Sequence, residues 1–153
     1  MKIVEKKGGV TAAQGFKAMG IRAGIKKDRK DMAMVVSENV CACAGTFTTN
    51  VVKAAPVKWD SRIVHEFHRA KAVVVNSGVA NACTGQEGYG YCQETAKKAA
   101  ELLDVSEDEI LVASTGVIGR QIPIDLIKKG VETMVPMVSD SLEAGTLAAE
   151  SIM

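Results

Sequence analysis

The feature that most constrains this chain is a strand–helix–strand succession in its second half. A β-branched apolar run, Ala72–Val75, breaks into the polar "NSG" of 76–78. A long amphipathic segment follows from Gln86 to Leu103, with Tyr89, Cys92, Ala96, Ala99 and Leu103 on one helical stripe. A second apolar run, Ile110–Ser114, then gives way to Thr115-Gly116. Buried strands on either side of an amphipathic helix predict a mixed α/β chain of sheet-and-helix layers.

The flanking segments extend that pattern. "GFKAMGIRAGI" alternates as a strand punctuated by Gly15, Gly20 and Gly24. "DMAMVVSENVCACAGTFTTN" reads as two strands, Met32–Ser37 and Val40–Phe47, turned by Glu38-Asn39 as a tight hairpin. From Asn50 to His68, Val52, Pro56, Trp59, Ile63 and Phe67 recur at helical spacing, and Pro56 suits a first turn. Ser106-Glu107-Asp108-Glu109 matches a capping box, predicting a short helical turn before the strand at Ile110. Pro123 opens a helix with Ile127, Val131, Met134 and Val138 on its apolar face, and a last helix covers about Asp140–Met153. No repeat or linker interrupts 1–153, so one domain is expected. The final "LAAESIM" carries no helix stop signal, so a continuation is expected after Met153, with Met134, Met137 and Met153 packing against it.

Charge narrows the function classes. With 19 basic and 18 acidic side chains the net charge is +1, which gives no ground for nucleic-acid or anionic-membrane binding. The basic run "GIKKDRKD" reads as a solvated loop. No apolar stretch is long enough to cross a bilayer and "MKIVEKKGG" is not a secretory signal, so a cytoplasmic protein is expected. The four cysteines, 41, 43, 83 and 92, follow no redox or zinc spacing and are expected to be reduced and mostly buried. His65 and His68 have no acidic or thiol partner spaced to join them, so no metal site is expected. Trp59, Phe67 and Tyr89 are read as packing residues.

Chemistry concentrates in the two glycine turns, Asn76-Ser77-Gly78 and Ser114-Thr115-Gly116. Neither has the spacing of a phosphate-binding loop, and Gly116-Val117-Ile118-Gly119 is not a dinucleotide fingerprint. Gly-x-Ser-x-Gly is absent around Ser77, Ser114 and Thr115, and no His lies near them in sequence. An oxyanion site asks for less: the Thr115 hydroxyl and the Gly116 N–H held together, with no Cβ blocking approach. An oxyanion site and a plain structural turn both remain open on these residues alone.

Five stretches carry a resemblance: "GGVTAAQGFKAMGIRAGIK", "TFTTNVVKAAPV", "VVVNSGVANACTG", "LVASTGVIG" and "AAESIM". Together, from Gly8 to Met153, they resemble the N-terminal part of the ornithine acetyltransferases, the bifunctional glutamate N-acetyltransferases of arginine biosynthesis. The resemblance implies an α chain whose layered α/β fold is completed by a β chain, the two arising by self-cleavage of one precursor. It implies a threonine nucleophile beyond residue 153 that takes acetyl from N-acetylornithine and passes it to glutamate. Acetyl-CoA is a further donor in some members, and no other cofactor is implied. Thr115 and Gly116 match the family's oxyanion-hole pair, and an α2β2 heterotetramer is the expected assembly. One departure stands out: where the family reads Asn-Ser-Gly-Asn-Ala-Asn, this chain has Val79 at the fourth place. Asn76, Ser77 and Asn81 are themselves expected to build the turn. The rival is a stand-alone α/β module binding a small anion at its two glycine turns.

Overall fold

In the computed structural model the described residues are 3 and 8–153. Four strands form one sheet in sequence order: β1 (Phe16–Ile21), β2 (Met32–Ala42), β3 (Arg69–Val79) and β4 (Ile110–Val117). The first two pairings are antiparallel. The third is parallel, because the connection between β3 and β4 passes through a long helix, α2 (Gly85–Leu103; α1 is Ala55–Arg62). Two further helices follow β4, α3 (Ile124–Met134) and α4 (Leu142–Ser151). β1, β3 and β4 therefore run in one direction. Their carboxyl ends gather at one end of the sheet, together with the loop 22–31 that joins β1 to β2.

Alternation along the strands divides the sheet into two faces. Met32, Met34, Val36, Ala72, Val74, Ile110 and Val112 point to one face. There they meet Trp59 and Ile63, then Cys92, Ala96 and Ala99 of α2, then Ile127, Val131 and Met134 of α3. On the other face Ala18 and Ala33 pack under Ala148 of α4. That approach is close enough to require Gly20, where an added Cβ would stand 2.0 Å from the Leu147 carbonyl oxygen. α4 packs mainly on β1 and β2 and touches β3 at its far end, where Ser151 meets Ser77. Over the rest of β3 and β4 this face is open, with Phe16, Val35, Cys41, Val73 and Leu111 lining a shallow cleft of about 150 Å³.

Several expectations hold in detail. Pro56 lies in the first turn of α1, and the helical pattern beyond Arg62 continues as a wider turn over Ile63–Phe67. Ser106 and Glu109 form the reciprocal capping box before β4. The hairpin at Glu38-Asn39 does not form; β2 runs through it as one strand. A tight two-residue turn needs positive φ at its centre, and neither residue has it. Instead β2 is a central strand, paired with β1 on one side and β3 on the other. The extra residues are absorbed as an irregularity between the pairs Val36–Ala72 and Cys41–Ala70. α3 also ends earlier than its apolar stripe. Val138 lies past the helix and past a short turn, Val135–Met137, yet still packs against the core. Met134 is fully buried within this chain, whereas Met137 and Met153 are exposed.

Candidate functional site

The two glycine segments are not turns that lead straight into helices. Both lie inside strands, and they are neighbours. Asn76 pairs with Ser114, Ser77 with Thr115 and Gly78 with Gly116 in the parallel β3–β4 ladder. The ladder continues past the strands, with the Ala80 N–H donating to the Val117 carbonyl at 2.9 Å and the Gly119 N–H to Ala82 at 2.9 Å. α2 and α3 open only at Gly85 and Ile124.

The β3 segment is sealed. Asn76 and Ser77 are buried at 4% and 2% exposure. The Asn76 amide donates to the Val79 carbonyl at 2.8 Å, and its side-chain oxygen accepts from the Ser114 hydroxyl at 2.6 Å. Ser77 donates through its hydroxyl to the Ser151 carbonyl of α4, and through its backbone N–H to the Asp31 carbonyl at 2.8 Å. Asn81 donates to the Gly88 carbonyl at 2.7 Å and accepts from the Thr84 hydroxyl at 2.6 Å, fastening the start of α2. The turn-building expectation holds for Asn81; for Asn76 and Ser77 it is corrected, because both lie inside strand β3 and bond across the sheet and to α4 as well as locally. Val79 fits because its side chain joins the core and its backbone oxygen, not a side chain, receives Asn76.

The β4 segment is open. Ser114 turns inward to Asn76, but Thr115 and Gly116 are exposed, and the Thr115 hydroxyl has no hydrogen-bond partner among the described residues. Gly116 has φ +132°, and an added Cβ would lie 2.3 Å from the Gly78 carbonyl carbon, so only glycine fits this rung. Gly78, at φ +103°, is in turn covered by Ile25 and the stem of Lys26.

What closes the outer edge of β4 lower down is α1. The Trp59 indole N–H donates to the Ile110 carbonyl at 2.9 Å, and Asp60 Oδ1 accepts the Val112 N–H at 3.0 Å. Consecutive helical side chains thus stand in for a missing strand. Peptide groups in a strand point alternately to its two sides, so the N–H groups of Ser114 and Gly116 share the outer edge with that of Val112. They lie past the last α1 contact. Burial pushes the Asp60 carboxyl up to about 7, against the opposing effect of the Val112 N–H. Trp59 was legible as a packing residue, but nothing in the sequence marked Asp60 as an edge cap.

The remaining candidates stay apart from this end of the sheet. His65 and His68 are exposed, and His65 Nδ1 sits 2.6 Å from the Ser61 carbonyl oxygen of its own helix. No cluster of metal-ligating side chains occurs among the described residues. The cysteines are all free, and the expectation that most are buried is corrected. Cys92 alone is buried, with its thiol pushed up to about 12 chiefly by burial, while Cys83 is exposed at φ +58°. Trp59 and Tyr89 meet edge to face, and the Arg62 guanidinium lies 4.6 Å from the Trp59 ring centroid, so the aromatic residues do pack. No helix among the described residues is long and apolar enough to cross a membrane.

Comparison with known proteins gives one answer. The ArgJ family pattern matches residues 17–153. The arginine biosynthesis bifunctional protein ArgJ of Caldanaerobacter subterraneus subsp. tengcongensis is 45% identical over 153 residues, which are 100% of this chain and 37% of that protein. The chain therefore spans little more than a third of that relative's length. The crystal structure of the bifunctional protein ArgJ from Bacillus halodurans superposes with a TM-score of 0.88 at 36% identity, over 95% of this chain and 75% of that one. Ornithine acetyltransferase from Mycobacterium tuberculosis, solved in complex with ornithine, gives 0.92 at 41% identity, over 97% and 80%. Sequence pattern, length-wide identity and a shared α/β architecture agree, and the chain belongs to the ArgJ family.

Proposed function

We propose that this chain is the α-chain portion of a self-cleaving acetyltransferase that moves acetyl from N-acetylornithine to glutamate. In this reading the nucleophile is a threonine beyond residue 153, freed at the N-terminus of a β chain. Its α-amine, with an ordinary pKa near ~8, serves as the base for its own hydroxyl. The threonine oxygen adds to the acetyl carbonyl, the C–N bond to ornithine breaks, and the departing amine takes up the proton. Glutamate's α-amine then attacks the acetyl ester, and the threonine hydroxyl leaves with its proton restored. Each addition puts negative charge on the acetyl oxygen, where the Thr115 hydroxyl and the Gly116 N–H donate to it. The same pair serves the peptide carbonyl attacked during self-cleavage. Some members of the family also accept acetyl-CoA, and turnover with it in place of N-acetylornithine decides between a one-donor and a two-donor enzyme; an α2β2 assembly in the cytoplasm is the expected working form.

One observation carries the proposal: Thr115 and Gly116 are adjacent and exposed, and the threonine hydroxyl is unclaimed at a rigid strand end. None of the five main clefts among the described residues is lined by them, which suits a site completed by another segment. The rival anion-binding module needs both glycine segments open to solvent, and Asn76 and Ser77 are buried with their side chains spent on internal bonds. Thr115→Ala in the full-length precursor tests the reading. Self-cleavage should slow, and acetyl transfer should fall by about 10²–10³-fold, the usual cost of one oxyanion donor. Unchanged processing and turnover would remove Thr115 from the chemistry.

A further inference from the structure

One side chain holds the loop between β1 and β2. Residues 22–30 carry five basic side chains and one acidic one and form no regular element. Like charges in such a run repel and favour an extended, mobile loop. Asp31, fully buried, fastens it instead. Asp31 Oδ1 accepts the Ala23 N–H at 2.6 Å, and Oδ2 accepts those of Gly24 at 3.1 Å and Lys26 at 2.8 Å. The backbone of the same residue joins two strands. Its N–H donates to the Ile21 carbonyl of β1 at 2.9 Å, and its carbonyl accepts the Ser77 N–H of β3 at 2.8 Å.

The fastened loop rests on the strand end beside Thr115 and Gly116. Ile25 Cγ2 and Lys26 Cγ stand 3.3 and 3.1 Å from where a Cβ on Gly78 would be. The Gly78 carbonyl carbon, in turn, stands 2.3 Å from where a Cβ on Gly116 would be. Loop, Gly78 and Gly116 therefore follow one another in contact, and Ser77-Gly78 pairs with Thr115-Gly116 in the ladder. Gly78 has no side chain with which to lock itself in place, so the loop and the ladder set its position.

We propose that Asp31 is a positioning residue for acetyl transfer, acting through the loop and the Ser77-Gly78 rung on the Thr115 hydroxyl and the Gly116 N–H. The proposal rests on the oxyanion role given to that pair above. Such donors act on charge that develops in the transition state, and their geometry has to be held within about 0.5 Å. A misplacement of about 1 Å is enough to cost about 10²-fold in rate. A carboxylate suits the position because it only accepts, so both its oxygens can face N–H groups. An amide in its place would turn its NH2 toward at least one of those N–H groups and push the loop off Gly78. The oxyanion forms after substrate is bound, so the defect falls on kcat and not on KM.

The test is a double-mutant cycle in the full-length protein, with Asp31→Asn, Thr115→Ala and the two combined, assayed per folded molecule with N-acetylornithine and glutamate. Asp31→Asn should lower kcat by about 10- to 10²-fold while KM for N-acetylornithine stays within about threefold, and self-cleavage should slow with it. In the Thr115→Ala background the same change should cost a smaller factor, because the two residues serve one site. Ile25→Ala, alone and with Thr115→Ala, thins the cover over Gly78 and leaves Asp31 in place. It should show the same pattern at about three- to tenfold, and it decides the matter if Asp31→Asn does not fold. An unchanged kcat per folded molecule, a loss confined to KM, or factors that multiply in the double variant would each overturn the positioning role and leave that of Thr115 standing. Full turnover in Thr115→Ala would overturn the oxyanion reading itself, and this proposal with it.

Discussion

Asn76-Ser77-Gly78 and Ser114-Thr115-Gly116 are nearly the same peptide placed twice, on adjacent parallel strands and in register. One is buried with its side-chain polar atoms matched inside the chain; the other presents a free hydroxyl and an edge N–H. Local chemistry does not separate them. Position does. β3 is flanked by β2 and β4 and roofed at Ser77 by the end of α4, so its polar groups had to find internal partners or incur a desolvation cost. β4 is the edge strand, and α1 closes that edge only as far as Val112. A hydroxyl free to act on a ligand is therefore found where the sheet stops.

The harshest way to break this contrast is Gly116→Ala. The new methyl would collide with Gly78 backbone at a φ that L-residues avoid. We expect a loss of about 3 kcal/mol or more in chemical denaturation, with self-cleavage abolished. A variant that melts like the parent would mean the two strand ends are not locked together.

Thr115→Ala and Ser77→Ala sharpen the comparison as a matched pair. The first should leave the melting temperature of the full-length protein nearly unchanged while turnover falls by about 10²–10³-fold. The second should do the reverse. It removes a buried hydrogen bond to α4, costing about 1–2 kcal/mol in a urea titration, with turnover per folded molecule retained. If both variants behaved alike, the division between structural and chemical strand end would collapse.

Asp60 probes the closed part of the β4 edge. Its carboxyl rises from an ordinary 3.8 to about 7 because burial disfavours the charged form. A raised folded-state value means that its stability contribution is complete below about pH 3.8 and declines as pH climbs. It is gone once pH passes about 7. Asp60→Asn keeps an acceptor for the Val112 N–H without the titration. Its stability curve should be flatter between those limits, with a gain on the order of a few kcal/mol at mildly alkaline pH. Parallel curves for variant and parent would show that Asp60 is better solvated than its burial implies. The smallest effect belongs to His65→Ala, an exposed change expected to shift stability by under about 0.5 kcal/mol.

Read by itself, the sequence determined the element types, the long α2 stripe, the capping box before β4, the first-turn Pro56 and the pair Thr115-Gly116 as the place to look. These are short-range matters, settled by side-chain periodicity and by what a backbone tolerates over a few residues. Tertiary structure alone decided that Glu38-Asn39 runs on as one central strand, because pairing on both sides outweighs a turn with the wrong φ preference. It decided too that Trp59 and Asp60 cap a strand more than fifty residues ahead, that Asp31 fastens a basic loop to β3, and that of two like peptides one is sealed and one is open. Burial and edge position are properties of the assembled sheet, and no local pattern encodes which strand will stand last in it.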